Sequence, residues 1–199
     1  MKRVMFCLFT AIIVLSFGTT VKADLFLRGT DTMGNRLIYD DDFDITWYDY
    51  TAPLDTWQNQ EKWASGLSVD YGGNTYSDWR LPATVNNRAL DYGYDGTTAE
   101  GYNIKSSEMG HLYYTELGNI GYLNTSGIGP QAGWGLQETG DFLNFPPTVL
   151  IYWSSTEIAQ LSGWYFTFNF HFGSQFRGDP SDQEWYGMAV RDGDVPDVP

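Results

Sequence analysis

The spacing of apolar residues changes several times along the chain, and each change marks an element. Strand-like segments at 37–39 and 45–47 flank the acidic run Asp40, Asp41, Asp42, Phe43 and Asp44, which predicts a hairpin. Further on, Trp57, Trp63, Ala64 and Leu67 fall within about 120° of arc at about 100° per residue, predicting a first helix. Asp55, with Gln58 three residues later, fits a capping box, and Gly66 is a suitable stop. A second helix is predicted over 107–118, with Ser106 as N-cap and Glu108 favouring the positive end of the dipole. Its apolar stripe is Met109, Leu112, Tyr113 and Leu117, with His111 on the polar side. Glu116 falls inside that stripe. A buried carboxylate there is expensive unless paired and hydrogen-bonded. Arg80 and Arg191, each in an otherwise apolar strand, are the expected partners.

Between the helices, Asp78 to Pro82 reads as a short strand ended by proline, followed by a polar, Gly- and Tyr-rich stretch at 91–103. The Gly-rich passage 119–147 shows no usable period. A stretch of that length inside a compact domain is usually functional or disordered. Its aromatic residues Tyr122, Trp134, Phe142 and Phe145 argue against disorder. The run 149–153 is apolar on both faces, as a central strand is. Trp164, Phe166, Phe168, Phe170 and Phe172 alternate onto one face, and Tyr165, Thr167, Asn169 and His171 onto the other. Residues 185–191 close the sheet. No repeat and no linker interrupts 24–194, so one domain is expected. It is α+β: two helices against a mainly antiparallel sheet, with a long Gly-rich loop region.

The ends change the picture. Lys2 and Arg3, the apolar stretch 4–17, and small residues Val21 and Ala23 read as a secretory signal over 1–23, cleaved before Asp24. A membrane span needs roughly 20 apolar residues, and Gly18, Thr19 and Thr20 interrupt this one. No membrane insertion is expected after cleavage, and the protein is expected to be secreted, extracellular or at the cell surface. The chain's single cysteine, Cys7, leaves with the signal, so burial must stabilise the mature domain instead of a disulfide. Its remaining residues suffice for one core that hides roughly 70% of the unfolded surface. Three of the eleven basic residues also leave, and the eight that stay face 25 acidic ones. So acidic a field disfavours nucleic acid and anionic membranes as partners.

Five spaced blocks are familiar. Asp78 to Pro82, Tyr152 to Glu157, and Ala189 to Arg191 resemble the signature blocks of the Lcl C-terminal domain family. Ile45 to Trp47 and Ser107 to Leu112 resemble further blocks of a subgroup often found with PEP-CTERM sorting signals. The resemblance covers most of 37–194, with Ala83 standing where threonine is usual. It implies a C-type lectin-like fold with a ligand-carrying loop region, and an adhesion role on polysaccharide-type ligands. The tail 195–199 matches only the beginning of the sorting signal, so release is expected unless the sequence is truncated. Formylglycine-generating enzymes share the implied fold type, but their oxidation chemistry needs cysteines that the mature chain lacks. The calcium-holding Glu-Pro-Asn and Gln-Pro-Asp tripeptides of sugar-binding C-type lectins are also absent.

Nucleophilic catalysis finds little support, since His111 and His171 are the two histidines and there is no Gly-x-Ser-x-Gly elbow. Zinc has little support either, with two distant histidines and no mature cysteine. Asp40, Asp42 and Asp44 alternate as calcium ligands do, but Ile45 and Thr51 stand where an EF-hand has its glycine and closing glutamate. Asp91 and Asp95 offer a second loop, although aspartate is also simply a good turn former. No cofactor is expected, with calcium left open. The reading is a non-enzymatic adhesion module for a glycan or extracellular-matrix ligand. Trp134, Tyr165, Asn169 and His171 are its candidate binding residues. The alternative is a polysaccharide-acting hydrolase using paired carboxylates.

Overall fold

The computed structural model describes residues 25–148 and 150–196. The expected signal and its cleavage point, Val149 and the last three residues of the tail lie outside the described residues. The chain runs through β1 (Leu25–Thr30), β2 (Arg36–Asp40), β3 (Ile45–Asp55), α1 (Trp57–Ser65), β4 (Val69–Tyr71) and β5 (Asn74–Tyr76). It continues through β6 (Tyr92–Gly93), β7 (Glu100–Tyr102), α2 (Glu108–His111) and a π-helical turn (Leu112–Glu116). It closes with β8 (Ile151–Glu157), β9 (Tyr165–Asn169), β10 (Ser174–Gly178) and β11 (Trp185–Asp192). Nine strands form one mixed sheet in the order β1-β2-β3-β11-β8-β9-β10-β7-β6, while β4 and β5 form a separate hairpin. The fold is therefore α+β and mostly sheet, with two short helices. Two ladders, β11 with β8 and β6 with β7, are parallel.

Alternation decides how the sheet is covered. Ile38, Trp47, Tyr152 and Val190 point into one core with Met109, Leu112, Tyr113 and Leu117 of the second helical segment. Their neighbours Leu37, Tyr48, Trp153 and Ala189 point into another, against Ala64, Trp57 and Trp63 of α1. The period of two along each strand sends successive side chains to opposite faces. The central strands are therefore apolar on both faces and the helices lie on opposite sides.

The predicted hairpin forms, with Asp40 opposite Ile45. The strand at 185–191 does more than close the sheet: as β11 it sits in the middle, between β3 and β8. The segment 78–82 makes only an isolated bridge, Arg80 with Val190. Helix α1 keeps its predicted stripe and its stop at Gly66, but the capping box does not form. Its N-cap is Thr56 with no side-chain bond, while Asp55 accepts from Thr56 N and from Asn59 Nδ2 instead. The second helix is capped by Ser107, whose Oγ accepts from Gly110 N, rather than by Ser106. After one turn it widens into a π turn, closed by the Leu117 N–H donating to Leu112 O.

Five segments, around Trp47, Arg80, Glu108, Ser155 and Val190, meet around β11. Arg80 exchanges both backbone bonds with Val190, Pro82 O accepts from Ser155 N, and Trp47 lies opposite Val190. Glu108 Oε2 takes the Ala83 N–H at 2.6 Å.

Candidate functional site

The passage 119–147 carries little regular structure but is tied down at chosen points. Asn119 is buried, and its Oδ1 accepts from Gln137 N and Glu138 N while its Nδ2 donates to Glu138 O. Near the far end of the passage, the Asp49 carboxylate on β3 accepts from Leu143 N and Asn144 N. Burial raises the pKa of Asp49 and outweighs those two hydrogen bonds, which lower it. Between these ties the loop borders a groove of about 600 Å³ lined by Trp134, Gln137, Thr139, Phe145, Leu150 and His171, among others.

Two of the four expected binding residues share that groove. Trp134 lies parallel to Phe172 at 5.7 Å and meets Tyr122 and His171 edge-on at 4.8 and 5.1 Å. It is half-buried, and His171 is exposed. Gly133 and Gly135 have φ of +73° and +101°, conformations that a side chain resists, so the loop can bend sharply on either side of the ring. Asn169 is committed elsewhere: its Oδ1 accepts from His171 N and Phe172 N and so builds the turn to β10. Tyr165 begins β9, where it stacks on Trp57 at 3.5 Å, and it does not line the groove. Strand alternation puts Tyr165, Asn169 and His171 on one side, but β9 ends at Asn169 and a turn carries His171 away.

A second constellation joins residues that lie far apart in the sequence. His111 is buried, 9% exposed, rather than on a polar surface. Its Nε2 lies 2.9 Å from Glu116 Oε1 and 3.2 Å from Asp42 Oδ2. Asp40, fully buried on β2, completes a set in which one donor atom each from Asp40, His111 and Glu116 lies within 4.8 Å of the others. Asp40 is oriented by Phe43 N at 3.2 Å and Trp47 Nε1 at 3.3 Å, and the Phe43 ring packs edge-on against His111 at 4.6 Å. Residues five apart on an α-helix lie about 140° apart around the axis. The π turn, whose bonds run five residues back, swings Glu116 round to face His111.

Glu116 meets neither expected partner, Arg80 nor Arg191, and pairs with His111 instead. Arg80 forms a two-pronged ion pair with Glu108 and a further bond to Asp192. Arg191 lies over the Tyr76 ring and donates to the Gly193 and Asp194 carbonyls. Glu116 has a side chain 0% exposed, and its Oε2 has no hydrogen-bond partner among the described residues. Leaving such a group unsatisfied costs roughly 1–3 kcal/mol, more when it is charged. Burial raises the pKa of Asp40, and the neighbouring Glu116 charge adds to this against the Trp47 and Phe43 hydrogen bonds. At His111 burial opposes protonation, but the Glu116 hydrogen bond and the charges of Asp40, Glu116 and Asp42 outweigh it and raise the pKa. Of the expected calcium ligands, Asp40 faces this cluster, Asp42 stands at its rim and Asp44 accepts from the Tyr39 hydroxyl. Asp95 accepts from Thr97 N and Oγ1, as a turn former does. No protein-family model matches the chain, and no curated protein or solved structure matches it either.

Proposed function

We propose that the chain is an exported binding module, with a C-type lectin-like arrangement, that holds a glycan or matrix-type ligand in the groove beside the 119–147 loop. The observation that carries this reading is Trp134, half-buried yet lining an open groove with exposed His171 and Gln137. Sugars offer apolar C–H faces ringed by hydroxyls, so a ring flanked by an imidazole and an amide supplies both kinds of contact. The five-block resemblance points the same way, and so does the acidic surface, which leaves neutral ligands open.

A glycan array probed with the purified protein, alongside turnover assays on the same sugars, tests the reading. Trp134→Ala should abolish or strongly weaken the bound signal and move the melting temperature little. A loss of several kcal/mol, as truncating a core tryptophan produces (roughly 3–5 kcal/mol), would make the ring packing and not recognition. Released sugar products would favour the hydrolase alternative.

A further inference from the structure

The chain brings two distant segments together at His111. Asp40 and Asp42 come from the β2–β3 turn, and His111 and Glu116 from α2 and the π turn that follows it. A single imidazole nitrogen, His111 Nε2, faces carboxylate oxygens of both Glu116 and Asp42. One N–H has one proton and cannot serve both acceptors well. Glu116 is sealed from solvent, turned toward His111 through Oε1, and left with Oε2 unpartnered. Among the described residues no arginine or lysine pairs with Asp40 or Glu116. Arg36, Arg80 and Arg177 pair with Asp141, Glu108 and Glu100. Even a protonated His111 leaves the acidic groups in excess.

We propose that Asp40, His111 and Glu116, with Asp42 at the rim, bind one divalent cation of the zinc or manganese class. The mixed nitrogen and oxygen donors choose that class, because calcium and magnesium prefer all-oxygen shells. Zinc bonds to such donors run about 2.0–2.2 Å in a tetrahedron, so ligand atoms around one ion lie about 3.3–3.6 Å apart. His111 Nε2 and Glu116 Oε1 already lie 2.9 Å apart, and the set, within 4.8 Å, closes around an ion with side-chain shifts on the order of an ångström. The surroundings suit a metal site, since Trp47 and Phe43 N orient the Asp40 carboxylate and the Phe43 ring steadies His111. The ion would clamp the hairpin turn to the helical segment and give Glu116 the partner it lacks. This site is separate from the Trp134 groove, and its test is independent of glycan binding.

The test uses the purified protein without a polyhistidine tag, stripped with chelator and titrated separately with zinc, manganese and calcium. Calorimetry should show one equivalent of zinc or manganese bound at least tenfold more tightly than calcium, with a raised melting temperature. Glu116→Gln should remove that binding. Asp42→Ala, at an exposed rim position, should weaken it roughly 10- to 100-fold and move the melting temperature of the metal-free protein only as little as the loss of a half-exposed ion pair does. Absent binding, a preference for calcium, or affinities indifferent to both substitutions would overturn the proposal. If Glu116→Gln fails to fold, Asp42→Ala decides alone.

Discussion

Arg80 joins three segments through one guanidinium. Its two terminal nitrogens hold the Glu108 carboxylate at 2.8 Å each, one of them also reaches Asp192 at 2.7 Å, and its backbone pairs with Val190. Burial, the largest single effect, works against the charged form, but the hydrogen bonds and charges of Glu108 and Asp192 together outweigh it and raise the pKa of Arg80. The planar fork of arginine suits this bidentate geometry in a way lysine cannot match. Removing one partner of a fully buried pair costs roughly 3–5 kcal/mol, and an exposed pair contributes under about 1 kcal/mol. With the Arg80 side chain 32% exposed and Glu108 9%, Arg80→Ala should cost roughly 2–3 kcal/mol. That lowers the melting temperature by roughly 4–12 °C. Arg36→Ala, whose Asp141 partner is 43% exposed, is the control and should cost much less. Equal losses in the two variants would show that the Glu108 pair contributes no more than a surface pair.

At the scale of elements, the 119–147 loop owes its position to side chains from outside regular structure and to one strand. Asp49 on β3 fixes its far end, and the loop's pH response should follow. A carboxyl held above its ordinary value of 3.8 contributes stability that is complete below 3.8 and lost as pH rises through the folded value. Asp49→Asn removes that titration. The stability difference between variant and native protein should therefore shift in favour of the variant between about pH 3 and pH 7. Chemical denaturation along that range measures it, and two parallel profiles would mean Asp49 titrates alike folded and unfolded. The π turn is the other decisive element, since a regular α-helix through 107–118 would separate His111 from Glu116.

For the whole molecule, the chain's two halves share one sheet. Strand β11, last in sequence, lies between β3 and β8, so the N-terminal strands β1 to β3 join the rest of the sheet through the final strand. Its Ala189 and Val190 are 0% exposed, as is Trp47 opposite on β3, while β1 and β6 are edges. Local opening free energies follow burial and contact density. Hydrogen exchange should find the slowest amides in β3 and β11 and the fastest strand amides in β1 and β6. Amides of β11 that exchange as early as those of β1 would mean that the sheet parts at its centre and that its two sides behave as independent units.

By itself the sequence determined whatever depends on local periodicity. The hairpin around Asp40 to Asp44, the stripe of Met109, Leu112, Tyr113 and Leu117, the buried alternation of Phe166, Phe168 and Phe170 and the α+β class all follow from periods of two and 3.6. The β4–β5 hairpin, turned at Gly72 and Gly73, both at positive φ, was not among the predicted elements, because its strands of three residues are too short to show a period. Glu116 was legible as a buried carboxylate in need of a partner, because its place in an apolar stripe is a local fact. Its partner was not, because a π turn differs from an α turn by one residue's worth of winding and leaves no separate period to read. Tertiary structure alone decided that Asp40 meets His111 across some seventy residues, that Arg80 takes Glu108, and that β11 lies mid-sheet. It also gave Trp134 and His171 one groove while leaving Tyr165 against Trp57. Those choices turn on which surfaces bury each other, and that is a property of the folded chain rather than of any stretch of it.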